Sequence, residues 1–323
     1  MTTITIAPKL KKLFLKKAES TFPDCRVVWL EDLDEKERLE AISHTDLLLA
    51  AKITDELTAE EKQLLDRPKM VQTILTGADH HDFKVLPKSI PLYCNAGGWA
   101  HGIAESTLGM IICNNRCLRE QTEELSRGIF NAAGHNQKLL CEETVLILGF
   151  GGIGKAVAKV LKPFGGKVYA IGRSAPISDL IDQGFAMKDL KKILPKADVL
   201  VLSLPKTKET EGLINRETLS LMKEDAQIID VARAALINYE DILEHIKTHP
   251  LFHLSMDVWW QEFDNYPKEG YEILKYPNVT GSAHNAEKTS FALDEAVTSA
   301  FGNMRSFIDG KPVKGKVRIS EYL

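Results

Sequence analysis

One stretch of the sequence, residues 144–161, restricts the possible folds more than any other. Thr144–Leu148 is a short run of apolar and β-branched residues, as in a strand that is buried on both faces. The glycine-rich turn Gly149–Gly154, with the pattern G-x-G-x-x-G, follows directly, and residues 155–161 have helical spacing. A strand, this turn and a helix in that order predict a dinucleotide-binding unit instead of a merely structural turn.

Each glycine of this turn has an expected task. Gly149 permits the tight turn, Gly151 lets the backbone approach a pyrophosphate, and Gly154 allows the helix to pack closely on the strand. The N–H groups of Gly152 and Ile153 open the helix, where the helix dipole favours an anion. The turn therefore predicts where the phosphates of a dinucleotide would bind.

Short apolar runs alternate with longer amphipathic stretches along the whole chain. The runs are rich in Val, Ile and Leu and mostly do not alternate in polarity, which is typical of parallel strands covered on both faces. The stretches between them suit crossover helices, so we expect an α/β protein. The runs are Ile4–Ala7, Arg26–Leu30, Asp46–Ala51, Val71–Thr76, Thr144–Leu148, Lys167–Ile171, Asp198–Ser203, Gln227–Val231 and Phe252–Met256.

These runs form two sets, before and after a long stretch that is predicted to be one helix, residues 102 to about 127. The tail from about Leu293 also has helical periodicity and is expected to fold back onto the first set. We therefore predict two domains. A substrate domain is formed by residues 1–98 and 293–323, and a dinucleotide-binding domain by residues 99–292.

Composition and charge narrow the class of function. The formal net charge is −4, whereas a nucleic-acid binder carries a basic excess. No run of about 18 apolar residues exists, which excludes a membrane-spanning helix. A Lys-rich stretch follows the first apolar residues, the reverse of a signal peptide, and the scattered cysteines fit a reducing compartment. We expect a cytoplasmic protein without nucleic-acid or membrane partners.

The strand after the glycine turn indicates which dinucleotide is preferred. Lys167–Ile171 is followed by Gly172, Arg173 and Ser174, and no acid stands there to hold a ribose 2′-hydroxyl. Arg173 can pair with a 2′-phosphate, and Ser174 can donate a hydrogen bond to it. We predict a preference for NADP(H); the alternative is that Arg173 lies on the adenine and NAD binds.

Three polar residues follow strand-like runs in the second set: Arg233, Glu262 and His284. Taken singly, they are more simply a surface cation, a solvated loop acid and a structural histidine. Ligands of open α/β sheets, however, collect beyond the carboxyl ends of the strands. The three side chains are therefore candidates to converge beside a bound nicotinamide.

Together these residues and several further motifs resemble the D-isomer-specific 2-hydroxyacid dehydrogenases over nearly the whole chain. The order of the motifs along the chain makes the resemblance specific. The motifs are Thr76–Asp79, Asn95–Gly98 with Ala104 and Glu105, Gly149–Gly154, Leu204 and Pro205 with Thr210, Asp230–Arg233, Asp257–Glu262, and Ala283–Thr289.

The resemblance implies a Rossmann cofactor domain inserted into a flavodoxin-like substrate domain, each a doubly wound parallel sheet. It also implies a homodimer formed through the helix at residues 102–127. No metal ion is expected, because the chain has no His-Glu-x-x-His or paired Cys-x-x-Cys spacing. Substrate contacts are implied for Thr76, Gly77, Arg233 and His284. Cofactor contacts are implied for Gly149, Gly151, Gly152, Ile153, Gly154, Arg173, Ser174, Leu204, Pro205, Thr210, Val231, Ala232, Arg233, Asp257 and His284.

The chemistry of the three polar residues fits the reduction of a small 2-oxo acid. The fork of Arg233 can hold the carboxylate and the carbonyl oxygen together. His284 can donate a proton near neutral pH, and Glu262 can bond its second nitrogen and raise its pKa. By family analogy the substrate is glyoxylate, hydroxypyruvate or a related acid, and Asp257 orients the nicotinamide carboxamide.

Other functions remain open at this point. A regulatory scaffold that only senses the nucleotide is one alternative, and an NAD-dependent D-lactate-type dehydrogenase is another. Formate oxidation is disfavoured, because formate-specific members of the family carry an amide where this chain has Glu262. The sequence also departs from the family, with Asp230 for Asn, Ala234 for Gly, and Phe263 and Ala283 for prolines.

Several conspicuous residues have competing interpretations. Lys52 either contacts a distal acidic group of the substrate or is a loop cation, and Trp99 and Trp259 either wall the site or pack between domains. Hinges for domain closure are expected near residues 95–99 and 286–291. None of the histidines His80, His81 and His101 has metal-ligand spacing. Cys113 and Cys117 are expected on one helix face as two buried thiols.

Overall fold

The computed structural model describes residues 1–323 and divides them into two compact units. The first unit comprises Met1–Trp99 and Thr289–Leu323, and the second comprises Ala100–Lys288. The second unit is thus inserted into the first along the chain. No helix in either unit has both the length and the apolar character needed to span a bilayer.

The first unit is built on a five-stranded parallel sheet with the order β2-β1-β3-β4-β5, the flavodoxin-like order. Its strands are β1 (Thr3–Ile6), β2 (Arg26–Trp29), β3 (Leu47–Ala50), β4 (Met70–Thr73) and β5 (Leu92–Tyr93). Its helices are α1 (Lys11–Thr21), α2 (Glu35–Ser43), α3 (Ile53–Glu56), α4 (Ala59–Lys62) and, near the end of the chain, α11 (Ala292–Ile308).

Both faces of this sheet are buried, as the unbroken apolar runs predict. Leu47 of β3 packs on one face in a cluster with Phe22 and Phe301, the latter from α11. The next residue, Leu48, packs on the other face with Ile42. Successive side chains of a strand point to opposite faces, so a strand covered on both sides must be apolar throughout.

The second unit is built on a seven-stranded parallel sheet with the order β12-β11-β10-β9-β6-β7-β8. Six of these strands have the Rossmann order, and β12 extends the sheet at one edge. The strands are β6 (Thr144–Leu148), β7 (Lys167–Gly172), β8 (Gln183–Ala186), β9 (Val199–Leu202), β10 (Gln227–Asp230), β11 (His253–Met256) and β12 (Val279–Gly281). The helices are α5 (Ala100–Asn115), α6 (Leu118–Ser126), α7 (Gly152–Leu161), α8 (Leu190–Ile193), α9 (Arg216–Leu219) and α10 (Tyr239–Thr248).

The predicted fold class is confirmed: each unit is an all-parallel, doubly wound α/β sheet, and each predicted run overlaps a strand. One element was wrong. The stretch predicted as a single helix over residues 102–127 is two helices, α5 and α6, because Cys117 adopts a left-handed conformation with φ 48° and interrupts the helical path. Cys113 and Cys117 therefore do not share a helix face, and only Cys117 is buried.

Candidate active site

The sheet of the second unit brings the candidate residues to one edge. The last residues of β10, β11 and β12 are in register, with Asp230 beside Met256 and Met256 beside Gly281. Arg233, Asp257 and His284 follow these strands within three residues. Strand β6, which precedes the glycine turn, ends at the same edge two strands away from β10, about 10 Å at ordinary strand spacing.

The glycine turn has the shape that a pyrophosphate requires. Gly149 has φ +102°, and a Cβ there would lie 2.7 Å from the carbonyl oxygen of Ser203. A Cβ on Gly154 would lie 2.1 Å from the carbonyl oxygen of Gly149. A Cβ on Gly151 would meet nothing within 4 Å, so open space lies in front of the first turn of α7. The first N–H groups of a helix have no intrahelical acceptor, and the turn therefore fits a dinucleotide phosphate.

The predicted 2′-phosphate contacts lie at the end of the neighbouring strand. Arg173 and Ser174 directly follow β7, and both are exposed. A Cβ on Gly172 would lie 2.8 Å from the carbonyl oxygen of Ser174, so the chain turns tightly there. The position beside β6 is where an adenine ribose lies in folds of this order.

The loop after β9, which holds three predicted cofactor contacts, is braced from within. The hydroxyl of Thr210 donates to the carbonyl oxygen of Pro205 at 2.8 Å and accepts from the N–H of Thr207 at 2.8 Å. Leu204 packs against the core of the unit, and Ser203 donates to the carbonyl oxygen of Gly149 at 2.7 Å. Thr210 thus shapes the loop, and its cofactor contact remains a prediction.

The imidazole of His284 and the carboxylate of Glu262 form an ion pair beyond the carboxyl ends of β11 and β12. Nδ1 of His284 lies 2.8 Å from Oε2 of Glu262, and the other carboxylate oxygen accepts the backbone N–H of Trp259 at 2.7 Å. A carboxylate can only accept, so Nδ1 carries the proton of this bond. The second ring nitrogen, Nε2, is the atom left for a substrate.

The contact between His284 and Glu262 shifts the pKa values of both groups. The hydrogen bond to Glu262 raises the pKa of His284 above its usual value, against the opposing effects of burial and of the Arg233 charge. Burial alone would raise the pKa of Glu262, but hydrogen bonds from His284 and from the Trp259 N–H, together with the charges of His284 and Arg233, outweigh it and lower that pKa. Arg233 is therefore close enough for its charge to act on both partners.

A network on Asp257 holds the segment that carries His284. Asp257 is 3% exposed, and its Oδ1 accepts the hydroxyl of Ser282 at 2.5 Å and the N–H of Asn285 at 3.0 Å. Oδ2 accepts the N–H of Ala286 at 3.2 Å. His284 itself has φ 49°, a left-handed conformation that costs a residue with a Cβ about 1 kcal/mol or more. Asp257 fixes this turn; its predicted nicotinamide contact stays a prediction.

Asp230, which stands where the family usually has Asn, is the last residue of β10, three residues before Arg233. Its side chain is fully buried, and Oδ1 accepts the N–H of Ala232 at 2.9 Å. Burial raises its pKa to about 7, against the effects of that hydrogen bond and of the Arg233 charge. At pH 7 about half of the molecules therefore carry a proton on this group, and more do at lower pH. In its neutral form the acid resembles the amide that the family usually has there. Val231 and Ala232 are both buried in the same segment.

Two aromatic residues flank the ion pair in different ways. Trp259 is buried, stacks on Tyr271 with ring centroids 5.5 Å apart, and lies where a Cβ on Gly281 would collide with its ring. It packs within the second unit. Phe263 is 78% exposed and faces the ring of His284 at 6.1 Å. Its φ of 52° explains the missing proline, because proline is fixed near −65°.

The candidate residues of the first unit occupy its strand-end loops. Thr76 and Gly77 are half-buried after β4, and the hydroxyl of Thr76 donates to the carbonyl oxygen of Asn95 at 3.1 Å. Lys52 is an exposed cation 3.8 Å from Asp55. The indole N–H of Trp99 donates to the carbonyl oxygen of Ile74 at 2.8 Å, which ties it to the first unit.

The extra histidines differ in environment. His81 is 5% exposed beside the rings of His80 and Phe83, and burial lowers its pKa to about 4. His101 is exposed at the start of α5. His81 is therefore buried within the first unit, whereas His80 is half-buried. None of these three histidines belongs to a group of three metal-ligand side chains.

Comparison with known proteins decides the family. The model of the NAD binding domain of the D-isomer specific 2-hydroxyacid dehydrogenases matches residues 108–286, more than half of the chain. The chain belongs to this family. It is an NAD(P)-dependent oxidoreductase, and the match spans the glycine turn and all three polar residues of the carboxyl edge.

Individual relatives agree with this family. The glyoxylate reductase of Thermofilum pendens is 29% identical over 300 residues, which cover 89% of this chain and 86% of the relative. The hydroxypyruvate reductase of Thermotoga maritima is 28% identical over 268 residues, covering 81% and 84%. A solved glyoxylate/hydroxypyruvate reductase of Sinorhizobium meliloti superposes with a TM-score of 0.78 over the full length of both chains at 20% identity, which shows the shared fold.

Proposed function

We propose that this dehydrogenase reduces a small 2-oxo acid to its D-2-hydroxy acid with NADP(H), and that Arg233, Glu262 and His284 are its catalytic residues. The observation that carries the proposal is the 2.8 Å contact between His284 and Glu262 at the carboxyl edge, next to the charge of Arg233. An acid, its pKa-raising partner and an anion-binding guanidinium are the parts that a carbonyl reduction needs.

Each residue has a distinct part in the proposed reaction. Arg233 binds the substrate carboxylate and polarises the carbonyl oxygen through its two-pronged donor. Glu262 holds the imidazole through Nδ1, so that Nε2 of His284 donates the proton to the carbonyl oxygen. The bound nicotinamide supplies the hydride. Thr76 and Gly77 are further proposed contacts of the substrate carboxylate, through their backbone N–H groups. In the oxidative direction, neutral His284 takes the proton back.

The preference for NADP(H) rests on the end of β7. Arg173 and Ser174 are exposed there, and no carboxylate of that turn opposes a 2′-phosphate. A guanidinium pairs with a phosphate in two parallel hydrogen bonds, whereas a ribose hydroxyl gains little from it. The substrate class follows the relatives, two of which are named for glyoxylate and hydroxypyruvate. We also propose that the protein is a cytoplasmic homodimer.

The deciding experiment is a spectrophotometric panel of glyoxylate, hydroxypyruvate and pyruvate, each with NADPH and with NADH. We expect reduction of at least one of the first two acids and a higher kcat/KM with NADPH. Binding of the nucleotide without reduction of any acid would contradict the catalytic assignment and favour a regulatory scaffold. Pyruvate reduction with NADH alone would favour the D-lactate-type alternative.

A matched pair of variants tests the cofactor preference separately. Arg173→Ala should lower kcat/KM for NADPH by roughly 10- to 100-fold, the value of a charge-assisted phosphate contact, with little change for NADH. Lys188→Ala, an exposed cation of the same unit outside the strand-end turn, is the control. Equal losses with both nucleotides would show that Arg173 does not read the 2′-phosphate.

A further inference from the structure

A polar cavity lies at the edge of the seven-stranded sheet opposite to the candidate active site. It has a volume of about 150 Å³ and is lined in part by Gln227 and His253, the first residues of β10 and β11. Because parallel strands run in one direction, their first residues lie at the edge away from Arg233 and His284. The cavity therefore belongs to neither the glycine turn nor the proposed catalytic pair.

The walls of this cavity bring together three different metal-ligand groups. Cys117 comes from the break between α5 and α6, Glu120 from the first turn of α6, and His253 from the start of β11. Nε2 of His253 lies 2.8 Å from Oε1 of Glu120. One ligand atom from each residue, the thiol sulfur included, lies within 4.8 Å of the other two.

We propose that Cys117, Glu120 and His253 bind one Zn²⁺ ion. A thiol, an imidazole and a carboxylate are the donor set of zinc, whereas Mg²⁺ and Ca²⁺ require oxygen ligands. Zinc bonds of about 2.1–2.3 Å place tetrahedral ligand atoms roughly 3.5 Å apart. The three atoms therefore need to move by no more than roughly 1 Å. A water molecule would complete the four-coordinate site.

The neighbouring charges are compatible with a cation. The ammonium of Lys138, also on the cavity wall, lies 2.8 Å from Oδ2 of Asp225, and this carboxylate offsets part of its charge. His135 lies on the wall and contacts Glu124 at 3.0 Å. On binding, the S–H bond of Cys117 breaks, the Zn–S bond forms and the proton leaves to solvent. The ion would then tie the break between α5 and α6 to β11.

The test uses the full-length protein after treatment with a chelator, in buffer free of thiols. Titration with Zn²⁺ against a chromophoric zinc indicator should give one ion per chain. Co²⁺ should produce a thiolate-to-metal charge-transfer band. Cys117→Ser should abolish that band and weaken Zn²⁺ binding by more than about tenfold, since even indirect partners of a metal cost 10- to 100-fold. Cys141→Ser, at the exposed cysteine, should bind as the parent does.

His253→Asn provides the second variant if circular dichroism shows that Cys117→Ser does not fold. It too should lose tight Zn²⁺ binding. The proposal is overturned if the parent binds no stoichiometric Zn²⁺. It is equally overturned if a folded Cys117→Ser or His253→Asn variant keeps both the stoichiometry and the affinity of the parent.

Discussion

The two edges of the seven-stranded sheet carry similar ion pairs in different settings. At the carboxyl edge His284 contacts Glu262, and at the amino edge His253 contacts Glu120, both at 2.8 Å. A left-handed residue with a Cβ accompanies each pair, His284 itself in the first and Cys117 in the second. The His–Glu distance and the local backbone conformation alone therefore do not tell a proposed proton donor from a proposed metal ligand.

The surroundings make the difference. The carboxyl-edge pair lies beside the Arg233 guanidinium and follows strands that end at the same edge as the glycine turn. The amino-edge pair lies beside a thiol on the wall of a cavity, with no guanidinium among the residues that line it. The chemistry of a His–Glu contact therefore depends on the groups that the fold places next to it.

Removing the imidazole of the carboxyl edge should have the largest effect. His284→Ala should lower kcat for 2-oxo acid reduction by roughly 10²- to 10⁴-fold, the usual contribution of a general acid. His44→Ala, at an exposed histidine of the first unit, is the control. A kcat within a few-fold of the parent would show that His284 does not donate the proton. The two edges would then no longer differ in their proposed function.

Asp230 offers a test of the carboxyl edge through stability. Its pKa is raised from 3.8 to about 7, so the folded protein holds a proton that the unfolded chain releases. The free energy of unfolding should therefore fall as the pH rises from about 4 to about 7, by up to about 1.4 kcal/mol per pH unit. Asp230→Asn should lack this contribution. Urea unfolding of both proteins across this pH range measures the difference between their free energies of unfolding. We expect this difference to change with pH, and a constant difference would contradict the raised pKa of Asp230.

At the amino edge the smallest effect is expected, and it concerns stability. His253→Ala leaves the partly buried Glu120 carboxylate without its imidazole, which should cost about 1–3 kcal/mol. His253→Gln keeps a donor and should cost less. Urea midpoints measured with a chelator present separate this effect from any metal. Equal midpoints for the two variants would show that the contact contributes nothing.

Much of the fold could be predicted from the chain because its central strands are covered on both faces and read as unbroken apolar runs. The nine runs missed β5, β8 and β12, which are all outer strands of their sheets; β5 has two residues, β12 has three, and β8 is only partly buried. The helix break at Cys117 carries no Gly or Pro signal. Such features depend on tertiary contacts that local patterns do not encode.

The candidate site, like the fold, could be predicted only in part. The position of Arg233 and His284 beyond parallel strands follows from the rule for strand ends. The brace that Asp257 provides for the His284 turn depends on the path of the loop at 282–286, which no spacing reveals. The raised pKa of Asp230 likewise depends on complete burial. The sequence predicts which chemical groups form the site, but only the folded structure shows the hydrogen bonds and the burial that position them.

The central claim is that Glu262 tunes His284 as the proton donor, and the pH profile of kcat tests it most directly. Reduction needs the protonated imidazole, so kcat should fall as the pH rises through the raised pKa of His284. The proteins compared both carry Asp230→Asn, so that the titration of Asp230, whose pKa is about 7, does not contribute to the profile. Glu262→Gln should then move this falling limb to lower pH, with a smaller effect on its maximum; a limb at the same pH in both proteins would contradict the account.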